Sequence, residues 1–132
     1  MNTNIKDWIS ALRSGKYKQG HGHLRYEDKY CCLGVACELA TAAGIVGPAT
    51  AEDGGLFHYG PERHTGHLPD EVQAWLGLAS PTGSYRGHWD ELSNSWVAES
   101  LARLNDTGFS FEAIAKVIES EPDGLFRVEE PQ

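Results

Sequence analysis

Long hydrophobic runs are absent from this chain. No apolar stretch approaches the ~20 residues that a membrane-spanning helix needs, so a transmembrane protein is not expected. Basic residues are scarce: 11 Lys and Arg stand against 19 Asp and Glu, a net charge of −8. Such a chain repels nucleic-acid phosphates, and general nucleic-acid binding is disfavoured. Cysteine is scarce too. There are three, an odd number, at positions 31, 32 and 37, and two are adjacent. Neighbouring cysteines rarely satisfy disulfide geometry, so reduced thiols in a reducing compartment are expected rather than a secreted disulfide framework. The opening segment, Met1 to Arg13, is polar and amphipathic, without the basic stub and apolar block of a secretory leader. The expected location is the cytoplasm.

What is present describes an ordinary globular chain. Its 132 residues fit one domain, residues 1–132, long enough to bury a core without staples. Four Trp, five Tyr and four Phe argue against disorder. The charge is unevenly spread. The C-terminal tail, about 119–132, holds five acids and Arg127. The stretch from Arg13 to Lys29 holds Arg13, Lys16, Lys18, Arg25 and Lys29 against Glu27 and Asp28.

Apolar spacing predicts five helices. Trp8, Ile9 and Leu12 make one stripe over residues 4–14. Cys31 to Ala43 is apolar nearly all round, which suits a buried central helix closing at Gly44. Pro69 opens a third helix that Gly77 ends. Leu92, Trp96, Val97, Leu101 and Leu104 predict a fourth, from about Trp89 to Leu104. Ser110 caps a fifth, with Phe111, Ile114, Ala115 and Ile118 facing inward. Residues 16–30 suit a loop or short hairpin, and 56–59 and 125–128 suit short strands. The expected class is α+β: an α-rich single domain of about five helices with a small antiparallel sheet.

Four groups of residues bear chemistry. Cys31 and Cys32 stand at a helix start, where the helix dipole and nearby cations favour thiolate; a nucleophile there would need a base such as His88. Buried cysteines, by contrast, commonly act as small hydrophobes. The histidines of His21-Gly22-His23 and His64-Thr65-Gly66-His67 lack the knuckle spacing of a zinc site, and neither a metal nor another cofactor is expected. The segment Leu104–Ala115 opens like a helix-turn-helix unit, but the acidic Glu119–Gly124 follows where a recognition helix should stand. Finally Tyr85, Arg86, His88 and Trp89 place rings beside a guanidinium. With Lys18, His21, His23 and Arg25 they form the candidate ligand-binding set, suited to a small anionic or nucleotide-like ligand.

The helix-opening cysteine followed by a loop-rich stretch and Leu68-Pro69 is similar to small papain-like peptidases. That likeness implies a cysteine-dependent hydrolase or transferase as an alternative, although those enzymes carry Asp-Cys-Ser where this chain has Tyr30-Cys31-Cys32. More of the chain is covered by a second likeness. Lys16–Gly20, Arg25 through Tyr30-Cys31-Cys32-Leu33-Gly34-Val35, Leu68-Pro69 through Trp75-Leu76-Gly77-Leu78, and Leu104–Gly108 through Ile118-Glu119 together resemble a family of small uncharacterised proteins of tailed bacteriophages and prophages. The resemblance implies an accessory protein made inside an infected bacterium, with counter-defence as one such role. It would act by binding, either capping a host or defence protein or sequestering a small signalling molecule. A homo-oligomer is compatible with the same reading.

Overall fold

The computed structural model describes residues 1–128 and has the α+β architecture that the sequence predicts. Helix α1 (Thr3–Arg13) buries Ile5, Trp8, Ile9 and Leu12, the i, i+3, i+4, i+7 stripe of an amphipathic helix. Asn2 caps it, accepting from the Ile5 amide at 2.8 Å. The Asn2 and Asn4 side-chain amides then donate to Leu76 O and Trp75 O, which ties this end to α3 (Asp70–Leu76). Helix α2 (Cys32–Ala42) is the buried centre. Cys32 through Cys37 and Ala40 are all inaccessible, and the Trp8 indole donates to Cys32 O at 2.9 Å. Gly34 lets α2 press against the chain at Leu24; a Cβ there would lie 1.7 Å from Leu24 O.

Pro69 stands at the cap of α3, one position before its first turn, and Gly77 closes it in the left-handed conformation at φ +79°. Helix α4 (Leu101–Asp106) is capped by Ser100, and α5 (Phe111–Glu119) by Ser110. Helix α5 packs Phe111, Ile114, Ala115 and Ile118 inward. Arg13 of α1 reaches Glu112 and Glu119 of α5 at 3.1 and 3.0 Å.

Strands are short and fall into three small sheets. β1 (Lys18–Gln19), β2 (Arg25–Tyr26) and β3 (Lys29–Tyr30) form the first, with β1 parallel and β2 antiparallel to β3. The segment before α2, expected as a loop or short hairpin, holds the short β2–β3 hairpin, with β1 added parallel to β3. β4 (Thr50–Ala51) pairs with β5 (Phe57–His58), inside the stretch expected to be a strand. β6 (Ser84–Asp90) and β7 (Ser95–Ser100) form an antiparallel hairpin.

That hairpin corrects the expected fourth helix. Only its last turns, from Leu101, are helical; Trp89 to Ser100 is strand and turn. The Asp90 side chain accepts from the Ser93 hydroxyl at 2.7 Å and lies near the Leu92 and Ser93 amides at 3.4 and 3.3 Å, a side-chain turn that competes with helix. Asn94 adopts φ +53° and completes the reversal. Leu92, Trp96 and Val97, expected on a buried face, are 99%, 51% and 37% exposed. Near the C-terminus, Phe126 makes a single bridge to Leu78 in place of the expected strand. Within the acidic tail Glu119 belongs to α5, and residues 129–132 lie outside the described residues.

Candidate functional site

Side chains that pair across the first sheet share a face. Gln19, Arg25 and Tyr30 therefore lie on one side, and Lys18, Tyr26 and Lys29 on the other. Arg25 is turned to the interior side. Its guanidinium lies 3.9 Å from the Phe57 ring centroid and 5.4 Å from that of Tyr30, and its Nε donates to Glu27 O. Lys18 meets Asp28 at 2.9 Å. Hydrogen bonding to Asp28 raises the lysine's pKa, and the same bond holds the carboxylate below its ordinary value. Two of the candidate cations are thus engaged within the protein.

Beside this sheet lies a cleft of about 420 Å³ lined by Gln19, Gly20, His21, His23, Tyr26 and Lys29. The His23 and Tyr26 rings stack at 6.1 Å with 29° between planes. Lys29 has no ion-pair partner among the described residues. The loop under the cleft is fixed from outside. Gln19 Nε2 donates to Asn105 Oδ1 and Phe109 O, and the Gly22 amide donates to Asp106 Oδ1. Gly20 leaves room for Lys29, whose Cβ lies 2.9 Å from where a Gly20 Cβ would stand.

A second cleft, of about 600 Å³, lies between the hairpin and the chain's final described segment. Tyr85, Arg86, Trp96 and Ala98 form one wall; Asp123 and Val128 are on the other. Arg86 lies over Trp96 at 4.9 Å, and the Trp89 and Trp96 rings meet edge to face at 5.7 Å. Burial raises the pKa of the Tyr85 phenol, and Glu99 adds to the effect. His88 and Trp89 are exposed on β6 and line neither cleft. The two clefts share no residue, so the eight candidate residues do not converge on one pocket. Tyr26, Lys29 and Trp96 were not among them. Strand alternation around Arg25 points to Tyr26, whereas Trp96 was hidden by the helix assignment.

The cysteines are packed among apolar side chains. Cys32 is inaccessible and its thiol donates to Leu101 O at 3.6 Å; Cys31 is 5% exposed. Burial pushes the Cys31 thiol up to about 11 and the Cys32 and Cys37 thiols well above their ordinary value. Among the described residues no ring nitrogen hydrogen-bonds to either adjacent sulfur, and His88 stands on the exposed hairpin. The dipole of α2 favours thiolate, but desolvation outweighs it. No group of three or more His, Cys, Asp or Glu side chains is placed to hold a metal ion among the described residues. No helix there is long and apolar enough to cross a membrane.

A family model matches residues 1–122, a span that takes in the five α-helices and seven strands of the described residues. The chain belongs to the family described as Domain of unknown function (DUF8296). The cleft of His21 and His23 lies wholly within the family's matched residues, whereas Asp123 and Val128 of the second cleft lie beyond them. No curated protein and no solved structure matches the chain.

Proposed function

We propose that this chain is an accessory binding protein of tailed bacteriophages, and that it captures a small anionic, ring-bearing ligand in the cleft of His21, His23, Tyr26 and Lys29. One observation carries the reading. In a chain of net charge −8, this cleft is lined by a lysine, two imidazoles, a phenol, an amide and a glycine, with no carboxylate among them. Lys29 supplies a compact cation for a phosphate or carboxylate. The stacked His23–Tyr26 pair supplies flat surface for a ring, which is how proteins hold bases without reading their edges. The second cleft suits an anion less well, because Asp123 opposes Arg86 across it. The likeness to small phage proteins supports a setting inside an infected bacterium, where removing a nucleotide-like signal would serve counter-defence. A host-protein partner would meet the exposed tryptophans of the hairpin instead.

Calorimetric titration with adenosine monophosphate and with inorganic pyrophosphate tests this. Both probes should bind, and Lys29→Met should abolish both. Tyr26→Ala should weaken the nucleotide far more than pyrophosphate, because only the nucleotide has a ring to stack. Saturation at ~100 times the dissociation constant should stabilise the protein by about 2.7 kcal/mol. Absence of heat with both probes, or unchanged binding in Lys29→Met, would contradict the reading.

A further inference from the structure

The hairpin is the most exposed apolar part of the described chain. Trp89, Leu92, Trp96 and Val97 are 45%, 99%, 51% and 37% exposed, and all fall within nine residues. An isolated two-stranded hairpin is marginal in water. A cluster of exposed apolar residues of this kind marks an interaction surface.

The hairpin's two outer edges differ. On β6 the Arg86 amide donates to Asp123 O at 2.7 Å, and Gly124 packs beside Tyr85 and Arg86, so the returning chain covers that edge. On β7, residues Ser95 to Ala98 are exposed, and among the described residues their backbone bonds run only to β6. Such an edge is a template for another strand unless charge or proline blunts it. β7 has no proline and no lysine. Its one charge, Glu99, is paired with Arg103 at 2.6 Å.

The β7 sequence is complementary to itself. Set two copies antiparallel about Val97, with the two-fold axis perpendicular to the sheet. Val97 then faces Val97, each Trp96 faces Ala98, and each Ser95 faces Glu99. Large lies against small and no like charges meet, as stable cross-strand pairs require. Centring the pair on Ala98 would set Val97 against Glu99. Moving to a register that joins opposite faces would divide the tryptophans between the two sides of the sheet. In the Val97-centred register Trp89 and Trp96 of both copies lie on one face, because Trp89 pairs with Trp96 across the hairpin.

We infer that two copies of this chain associate through the free edge of β7, antiparallel about Val97, to form a four-stranded sheet β6-β7-β7-β6. The contact is isologous, so it closes at the dimer and does not propagate. It shares no residue with the His21–Lys29 cleft and stands whether or not that cleft binds an anion.

Sedimentation velocity on the intact chain, with Val97→Lys, Val97→Glu and their equimolar mixture, tests the proposal. The unaltered protein should sediment as a dimer. Each variant alone should be monomeric, because two like charges meet on the axis, and the mixture should recover the dimer. Val97 is exposed, so far-UV circular dichroism should show both variants folded. If either fails to fold, Val97→Cys takes its place. The three native cysteines are buried, so mild oxidation should link this variant through position 97, while Leu92→Cys at the hairpin tip should not link. A monomeric unaltered protein overturns the inference and leaves a foreign protein as the occupant of the tryptophan face. A dimer that survives both charge variants, or a mixture that stays monomeric, also overturns it.

Discussion

The side-chain oxygen of Asn105 accepts the backbone amide of Cys32 at 3.1 Å. This bond caps the central helix from the far end of the chain. Cys31, at the cap position, makes no side-chain bond of its own, so Asn105 supplies the acceptor that a serine or aspartate normally provides. The same carboxamide donates to Gly20 O at 2.8 Å and accepts from Gln19 at 2.9 Å. One fully buried side chain thus joins α4, the start of α2 and the floor of the His21 cleft.

Asn105→Ala should therefore be costly. It strands the Cys32 amide and the Gly20 carbonyl without partners in the interior. Each buried orphan costs roughly 1–3 kcal/mol, so a loss of about 2–4 kcal/mol is expected, read as a shift in the urea midpoint. Asn105→Asp keeps the acceptor but turns a carboxylate toward Gly20 O, and it should not rescue stability. A change under about 0.5 kcal/mol in the alanine variant would show that Asn105 does not cap α2.

Much of the fold is legible in the sequence. Helices α1, α2, α3 and α5 carry either a clean 3.6-residue stripe or clear end signals at Gly44, Pro69, Gly77 and Ser110. The hairpin was not legible, because Leu92, Trp96, Val97, Leu101 and Leu104 also fall at helical spacing. The outcome is decided by the Asp90–Asn94 turn and by Gly87, where a Cβ would lie 2.6 Å from Val97 O and the strand register shifts. The site was half legible. His21 and His23 are neighbours in sequence and share a cleft, but the fates of Lys18 and Arg25 depend on Asp28 and on Phe57, a residue from another sheet. Pairing of that kind leaves no local trace. Nothing in the neighbourhood of Asn105 marks it as a cap for a distant helix.

Gly34 leads to a sharp prediction. A methyl group on it would lie 1.7 Å from Leu24 O and 2.7 Å from Leu24 C, and backbone cannot yield as a side chain can. Gly34→Ala must force α2 away from the chain before β2, at a cost of about 3 kcal/mol or more, and is expected to give little folded protein. Gly66→Ala meets nothing within 4 Å and should fold as the unaltered chain does. Comparing soluble yield and urea midpoints of the two variants checks the contrast.

Alkaline pH should destabilise the protein through its thiols. Cys31 has an ordinary value of 9.0 and is pushed up to about 11 by burial; Cys32 and Cys37 move in the same direction. Below pH 9 both folded and unfolded thiols are neutral, and this contribution is fully present. Between about 9 and 11 the unfolded thiols ionise while the folded ones resist, so stability falls with rising pH. The buried Tyr59 phenol, raised by desolvation and its bond to Glu38, acts with the same sign. Urea midpoints at pH 8 and pH 10 measure the loss, and Cys31→Ala should reduce it. Iodoacetamide should label the native protein only as fast as it opens, and rapid labelling at pH 7 would contradict the burial of the thiols.

The hairpin turn should respond to acid without the core following. Asp90 holds the turn through the Ser93 hydroxyl, with the Leu92 and Ser93 amides nearby, and the Ser93 bond in turn keeps its carboxyl below the ordinary value of 3.8. A depressed carboxylate stabilises its structure above the unfolded value, and that support is lost as pH falls through the folded one. The edge-to-face Trp89–Trp96 pair lies just beyond this turn and reports on it, because coupled indoles give a paired signal in far-UV circular dichroism. The signal should fade as pH drops below about 4, while the buried Trp8 stays native in its fluorescence. Asp90→Ala should weaken the paired signal at neutral pH while Trp8 stays native, since the turn residue Leu92 is 99% exposed and Trp8 is inaccessible. If the Trp8 environment and the paired signal change together, the turn is cooperative with the core, and the expected independence of the two fails.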